Sequence, residues 1–121
     1  MTMENSEAAV LSNIGLLHCQ RGECHKAISY YLDSLRILSP LNQPAKEALA
    51  THNLGTAYGT LGDNESAAEY IQRSLPFFRK TNNRVGEGRA RMNLGDSVAR
   101  RRSSSDPSQA IHGTATVAYS R

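Results

Sequence analysis

The sequence has no tryptophan, two phenylalanines, five tyrosines and two cysteines among its 121 residues. So few aromatic side chains argue against a surface on which nucleic-acid bases stack. Two cysteines supply only half of the usual ligand set of a structural zinc site. Motifs for phosphate binding and for an activated nucleophile are also missing. These absences predict a protein that is not an enzyme, that binds no nucleic acid and that needs no metal or other cofactor.

Long apolar runs are missing as well. No stretch approaches the roughly 20 apolar residues that span a bilayer, so no membrane span is predicted. The first residues contain neither the basic nor the apolar region of a secretory signal. We therefore expect a cytoplasmic protein in which Cys19 and Cys24 are free thiols. A metal or redox site at these cysteines, flanked by His18 and His25, is the competing hypothesis.

The formal net charge of +3 is unevenly distributed along the sequence. Residues 1–99 carry ten basic and ten acidic side chains, whereas residues 100–121 carry four arginines and one aspartate, which gives the whole excess of +3. This distribution predicts a basic tail rather than a charged face on the folded part.

An internal repeat is the clearest positive signal. Asn13-Ile14-Gly15 returns 40 residues later as Asn53-Leu54-Gly55, and again as Asn93-Leu94-Gly95. A fixed interval of this size indicates a solenoid of stacked repeats. The third copy stops early, and about two and a half repeats are predicted, over residues 5–42, 43–82 and 83–99.

Apolar residues at helical spacing predict two helices in each complete repeat. Gly22 should end the first helix, Pro44 suits the first turn of the third, and Pro76 should kink or shorten the fourth. The predicted helices cover residues 6–20, 23–38, 44–61, 64–81 and 85–99.

Gly15, Gly55 and Gly95 lie in the middle of predicted helices, where each glycine costs roughly 1 kcal/mol relative to alanine. A cost that recurs at one position of the repeat needs a physical reason. We expect the missing side chain to let the second helix of the repeat approach closely, with Ala27 and Ala67 as the small residues opposite.

The repeats resemble the tetratricopeptide repeat (TPR), whose pattern is a bulky residue, Leu-Gly and Tyr, followed by Ala and Phe and then Pro. The usual length of a TPR is about 34 residues. The longer interval of 40 in this sequence is similar to that of the LGN/Pins family of polarity and spindle-orientation adaptors. The matching positions are Leu11, Ile14, Gly15, His18, Ala27, Tyr31 and Pro40 in the first copy, Thr51, Leu54, Gly55, Tyr58, Ala67 and Ile71 in the second, and Arg91, Leu94, Gly95 and Val98 in the third.

The resemblance implies an all-α, right-handed α-solenoid over residues 5–99 that acts as a scaffold for protein partners. In such solenoids the first helix of each repeat lines a concave groove where an extended peptide lies. Side-chain amides at one position of successive helices can pair with a peptide backbone of any sequence. The predicted groove residues are Asn13, Asn53, Asn93, Arg89, His52, Thr56 and Leu16.

Two alternatives to the groove remain open at this point. The asparagines can instead be solvated or hold neighbouring helices together. The chain can also be an incomplete slice of a longer scaffold, or a truncated isoform, with no independent ligand binding, because roughly three stacked repeats are usually needed for stability.

Residues 100–121 are predicted to be a disordered, basic tail rich in serine and arginine. Three arginines precede Ser103, Ser104 and Ser105, which is the arrangement that basophilic kinases prefer. The run also resembles a ligand of 14-3-3 proteins. A phosphate would add about two negative charges beside these arginines.

Overall fold

The computed structural model describes residues 2–105, and it is helical almost throughout. Helices form where apolar residues recur at helical spacing, as the sequence predicts. A single 3₁₀ turn, Ser39–Leu41, connects the first two repeats. The helices are α1 (Thr2–Gln20), α2 (Cys24–Leu38), α3 (Pro44–Thr60), α4 (Asn64–Lys80) and α5 (Arg84–Ser105).

The helices pack as two successive pairs followed by a single helix. Contacts are most extensive between α1 and α2 and between α3 and α4, while α2 also packs on α3 and α4 on α5. Within residues 2–105 there is no strand. The prediction of an all-α solenoid built from helical repeats is confirmed.

Two helices are longer than predicted. α1 begins at Thr2, four residues before the predicted start, and carries Glu4 in its first turn, where a negative charge is favourable. α5 continues to Ser105, past the predicted end at Ala99. Arginine and alanine favour helix, and the Arg100 guanidinium lies 3.1 Å from the Asp96 carboxylate one turn earlier. The predicted boundary of the tail at residue 100 is therefore too early.

Pro76 does not shorten its helix, since α4 continues to Lys80. The proline removes one backbone donor, so the carbonyl of Gln72 loses its helical partner. Gln72 is exposed, and water can replace that hydrogen bond. Pro44 lies in the first helical turn of α3, as predicted.

Left-handed residues end the helices at regular positions. Gly22 (φ 80°) and Gly62 (φ 90°) reverse the chain within each pair, and Asn42 (φ 54°) and Asn82 (φ 55°) do so after each pair. Asparagine tolerates this conformation better than other residues with a side chain, and its 40-residue recurrence was missed in the sequence. After α1, α3 and α4 the same pair of backbone hydrogen bonds closes the turn, for example Asp63 N–H to the Tyr58 carbonyl at 3.0 Å.

Close approach within each pair occurs at the predicted glycines. A Cβ added to Gly55 would lie 2.6 Å from Ile71 Cγ1 and 3.1 Å from the backbone oxygen of Ala67. One added to Gly15 would lie 2.9 Å from the ring of Tyr31. At Gly95 such an atom would meet nothing within 4 Å. The packing role is thus confirmed for Gly15 and Gly55 and is wrong for Gly95, because within residues 2–105 no second helix follows α5.

Aromatic stacking repeats at the same interval. His18 stacks on Tyr30 with ring centroids 5.3 Å apart, and Tyr58 stacks on Tyr70 at 5.5 Å. His18 Nδ1 also lies 3.0 Å from the Glu23 carboxylate across the turn. His18 is therefore a packing residue that occupies the tyrosine position of the second repeat.

The two cysteines differ from their predicted state. Cys19 and Cys24 form a disulfide, with Cα atoms 4.1 Å apart, so the prediction of free thiols is wrong. The physical reason is the tight reversal at Gly22, which returns the start of α2 to the end of α1. Both sulfurs are used in this bond. In the described part of the chain, no three His, Cys, Asp or Glu side chains come together as a metal site.

The glycine contacts predict opposite effects of one substitution at equivalent positions. Gly95→Ala should raise the free energy of unfolding by about 1 kcal/mol, because it adds helix propensity in open space. Gly55→Ala gains the same propensity but overpacks a contact, which typically costs about 1 to 3 kcal/mol, so we expect a net loss of stability. Urea denaturation followed by circular dichroism measures both. Equal changes in the two variants would show that Gly55 is not a close contact.

Candidate functional site

A cleft of about 350 Å³ lies between the first helices of the two complete repeats, α1 and α3. Asn13 and Leu16 of α1 face Leu49 and Asn53 of α3 across it. Its lining is mainly apolar, and Leu16 and Leu49 are 43% and 53% exposed. The cleft therefore combines accessible apolar surface with two side-chain amides.

A smaller cleft of about 210 Å³ continues this surface toward the C-terminal ends of α1 and α3. It shares Leu16 and Asn53 with the first cleft and adds Thr56. The Thr56 hydroxyl donates to the backbone oxygen of Asn53 at 2.9 Å. The two clefts together form a path along neighbouring first helices, which we call the α1–α3 groove.

The amide side chains of Asn13 and Asn53 have no hydrogen-bond partner among residues 2–105. Asn13 is exposed and Asn53 is half-buried. Each offers two donors and one acceptor to a molecule in the groove. Of the predicted groove residues, the structure brings together Asn13, Asn53, Leu16 and Thr56.

Lys46 is a groove residue that the sequence prediction missed. It lines the cleft at the start of α3, and its ammonium group donates to the Asn5 side-chain oxygen of α1 at 2.5 Å. The equivalent positions of the other repeats are Ser6 and Gly86. Because the residue type does not recur, the repeat pattern gave no signal for it.

The sequence matches the tetratricopeptide repeat family over residues 6–80, which is more than half of the chain. The chain belongs to the TPR family. This family consists of helix-pair repeats that serve as protein–protein interaction modules. None of the curated proteins shows a significant match to the chain.

The third asparagine of this TPR chain has a different environment from the first two. Asn93 Nδ2 lies 3.0 Å from Nε2 of His52, so the amide joins α5 to α3. His52 is 7% exposed, and its ring meets Phe78 edge-on at 6.1 Å between centroids. The alternative role of holding helices together therefore describes Asn93 and His52. Arg89 is exposed on α5 but lines neither cleft of the groove.

The charge of the TPR domain is not confined to a tail. α5 carries six arginines against Glu87 and Asp96, because the helix includes residues 100–102. Three of the four arginines assigned to the tail, Arg100, Arg101 and Arg102, therefore belong to the last helix of the folded part. Glu87 ties α4 to α5 through Arg79 at 2.8 Å and also pairs with Arg91 at 2.9 Å. Hydrogen bonds from Arg79 and then Arg91 lower the pKa of Glu87 below its ordinary value.

Another cleft, of about 510 Å³, lies on a different side of the TPR domain, among α2, α3 and α4. Its arginines already have partners: Arg36 lies 2.8 Å from Asp33, and Arg73 lies 3.2 Å from Glu69. The Arg73 guanidinium also lies 5.2 Å from the centre of the Tyr70 ring. Greater volume alone does not make this cleft a binding site, since both of its arginines are already paired with acidic residues.

Ser103, Ser104 and Ser105 lie in the last turns of α5. Residues 106–121, which contain the rest of the predicted tail and the Asp-Pro part of the 14-3-3-like run, lie outside the described residues. Across residues 2–105, no helix is both long enough and apolar enough to cross a membrane.

His52 should make stability depend on pH near neutrality. Burial, and then the charge of Arg89, lower the pKa of His52 from its ordinary value of 6.5. As the pH falls through 6.5, the unfolded chain takes up this proton before the folded chain does, so the free energy of unfolding should fall. Protonation also removes the acceptor for Asn93, because imidazolium nitrogens only donate.

Urea denaturation at pH 7.5 and pH 5.5 measures this effect. We expect a smaller loss of stability on acidification in His52→Gln than in the unsubstituted protein. His25→Gln, at an exposed position, is the matched control and should keep the full loss. An unchanged loss in His52→Gln would contradict the assignment.

Proposed function

We propose that the protein binds an extended peptide segment of a partner protein in the α1–α3 groove. The observation that carries the proposal is the placement of Asn13 and Asn53, whose amides lack partners among residues 2–105, on opposite sides of one mainly apolar cleft. Two amides in line can hydrogen-bond the backbone of an extended peptide without reading its side chains. This proposal makes the chain a non-enzymatic scaffold module.

The cleft lining defines the chemistry of the ligand. Leu16 and Leu49 provide exposed apolar surface for aliphatic side chains of the peptide, and burial of such surface is worth about 25 cal/mol per Å². Lys46 supplies a positive charge at the end of the groove nearest the N-terminus of α3. We therefore propose a peptide that alternates aliphatic residues with polar ones and carries an acidic residue near Lys46.

More specific roles follow from the sequence alone. The 40-residue repeat supports the proposal of an adaptor of the polarity or spindle-orientation type. Phosphorylation at Ser103, Ser104 or Ser105 by a basophilic kinase, followed by docking of a 14-3-3 protein, stays a prediction for the basic C-terminal segment. Arg89 remains the proposed partner for an acidic ligand side chain that reaches α5.

Selection of twelve-residue peptides by phage display on the full chain tests the groove proposal. Selected peptides should bind the double variant Asn13→Ala/Asn53→Ala at least tenfold more weakly by fluorescence anisotropy. Each of the two substitutions removes hydrogen bonds to the peptide backbone that are worth about 1 kcal/mol apiece. Circular dichroism should be unchanged, since neither amide contributes a hydrogen bond to the described fold.

Gln72→Ala is the matched control, because it removes an exposed amide from α4, away from the groove. It should leave the affinity unchanged. If the peptides bound the double variant as tightly as the unsubstituted protein, their binding site would lie outside the α1–α3 groove. Failure to select any peptide that competes for the groove would favour the alternative in which these repeats have no independent ligand.

A further inference from the structure

Among residues 2–105, one face of α5 has no partner, although the equivalent faces of α1 and α3 are covered. In the first repeat this face packs on α2: Ala8 is fully buried, Ser12 Oγ lies 2.9 Å from Ser34 Oγ, and Gly15 meets Tyr31. In the second repeat it packs on α4 through Ala48, His52 and Gly55. The positions thus define one interface that is used twice within the chain.

The equivalent residues of α5 are Gly88, Met92 and Gly95, which lie 40 positions after those of the second repeat. Met92 is 75% exposed, whereas His52 at the same position is 7% exposed. A Cβ added to Gly88 or Gly95 would meet nothing within 4 Å. These three residues, with the exposed Ala99 one turn further on, form what we call the open α5 face. Its spacing and small residues match a surface that receives a helix.

The positive charge of α5 indicates which kind of partner fits the open α5 face. α5 has a formal charge of +4, from six arginines against two acidic residues. Arg84 is exposed along one edge of the face, together with Arg91, whose guanidinium also pairs with Glu87 of the same helix at 2.9 Å. A second copy of the chain would bring another helix of the same charge against it. Residues 106–121 contain a single acidic residue, Asp106, and so do not balance this charge. Opposite charge is the arrangement that favours association.

We propose that the open α5 face binds an acidic amphipathic α-helix of another protein. The apolar stripe of that helix packs on Met92 between the two glycines, where close approach is free of steric conflict. Its acidic flank faces Arg84 and Arg91. Methionine adapts its shape to different apolar partners, which suits a surface of this kind. The site is separate from the α1–α3 groove and does not depend on it.

A peptide derived from α4 is a suitable probe, because α4 already covers the equivalent face of α3. The acidic probe is residues 64–80 with Arg73→Glu, Arg79→Glu, Lys80→Glu and Pro76→Ala. The basic probe keeps those cations and carries Glu65→Lys, Glu69→Lys and Pro76→Ala instead. Both keep the apolar stripe of Ala67, Ile71 and Phe78 that is buried in the chain.

Fluorescence anisotropy of each labelled probe with the full chain measures binding. We expect the acidic probe to bind at least tenfold more tightly than the basic probe, with an affinity that falls as salt is added. Gly95→Leu, which fills the face and favours helix, should weaken the acidic probe at least tenfold. Gln72→Leu places the same side chain on the exposed surface of α4 and should have no effect, as should Asn53→Ala in the groove.

Four outcomes would overturn the proposal. Equal affinity of the two probes would remove the role of charge, and insensitivity to Gly95→Leu would place the helix elsewhere. A dimer in sedimentation that Gly95→Leu dissociates would show that a second copy covers the face. Failure of the acidic probe to bind the full chain, followed by tight binding when residues 106–121 are deleted, would show that the chain covers the face itself.

Discussion

The close contact between paired helices at Gly55 is the constraint on which the rest of the structure depends. A Cβ atom at this position would lie 2.6 Å from Ile71, so α3 and α4 reach their separation only because the side chain is absent. The chain accepts a helix cost of roughly 1 kcal/mol for this approach. Gly15 sets the same relation between α1 and α2. Once the pairs are fixed, α1 and α3 become neighbours whose amides line one groove.

The same repeat positions serve different purposes in the three copies because their neighbours differ. Asn13 and Asn53 line the groove, whereas Asn93 contacts the buried ring of His52. Glu47 and Glu87 also differ: burial raises the pKa of Glu47, while the hydrogen bonds from Arg79 and Arg91 lower that of Glu87. The position of a residue within its repeat therefore determines the face of the helix on which it lies, and the adjacent helices determine its role.

The sequence predicted the fold well because helical spacing and the 40-residue repeat can be recognised without knowing which residues are neighbours in the folded protein. The five helices and the contacts of Gly15 and Gly55 are confirmed. Errors arose where the outcome depends on tertiary neighbours: no helix within residues 2–105 faces Gly95, and His52 is buried against Phe78. The disulfide was missed because the cysteines lie five positions apart, on two different helices, and only the reversal at Gly22 brings them together. Lys46 was missed because its position does not recur as lysine.

The most direct test of the account is a nuclear magnetic resonance titration of the isotope-labelled chain with a selected extended peptide. The largest chemical-shift changes should fall on both sides of the α1–α3 groove, including the side-chain amides of Asn13 and Asn53. The side-chain amide of Asn93, held by His52, should change little. Changes concentrated in the cleft among α2, α3 and α4, with the groove amides unaffected, would contradict peptide binding in the α1–α3 groove.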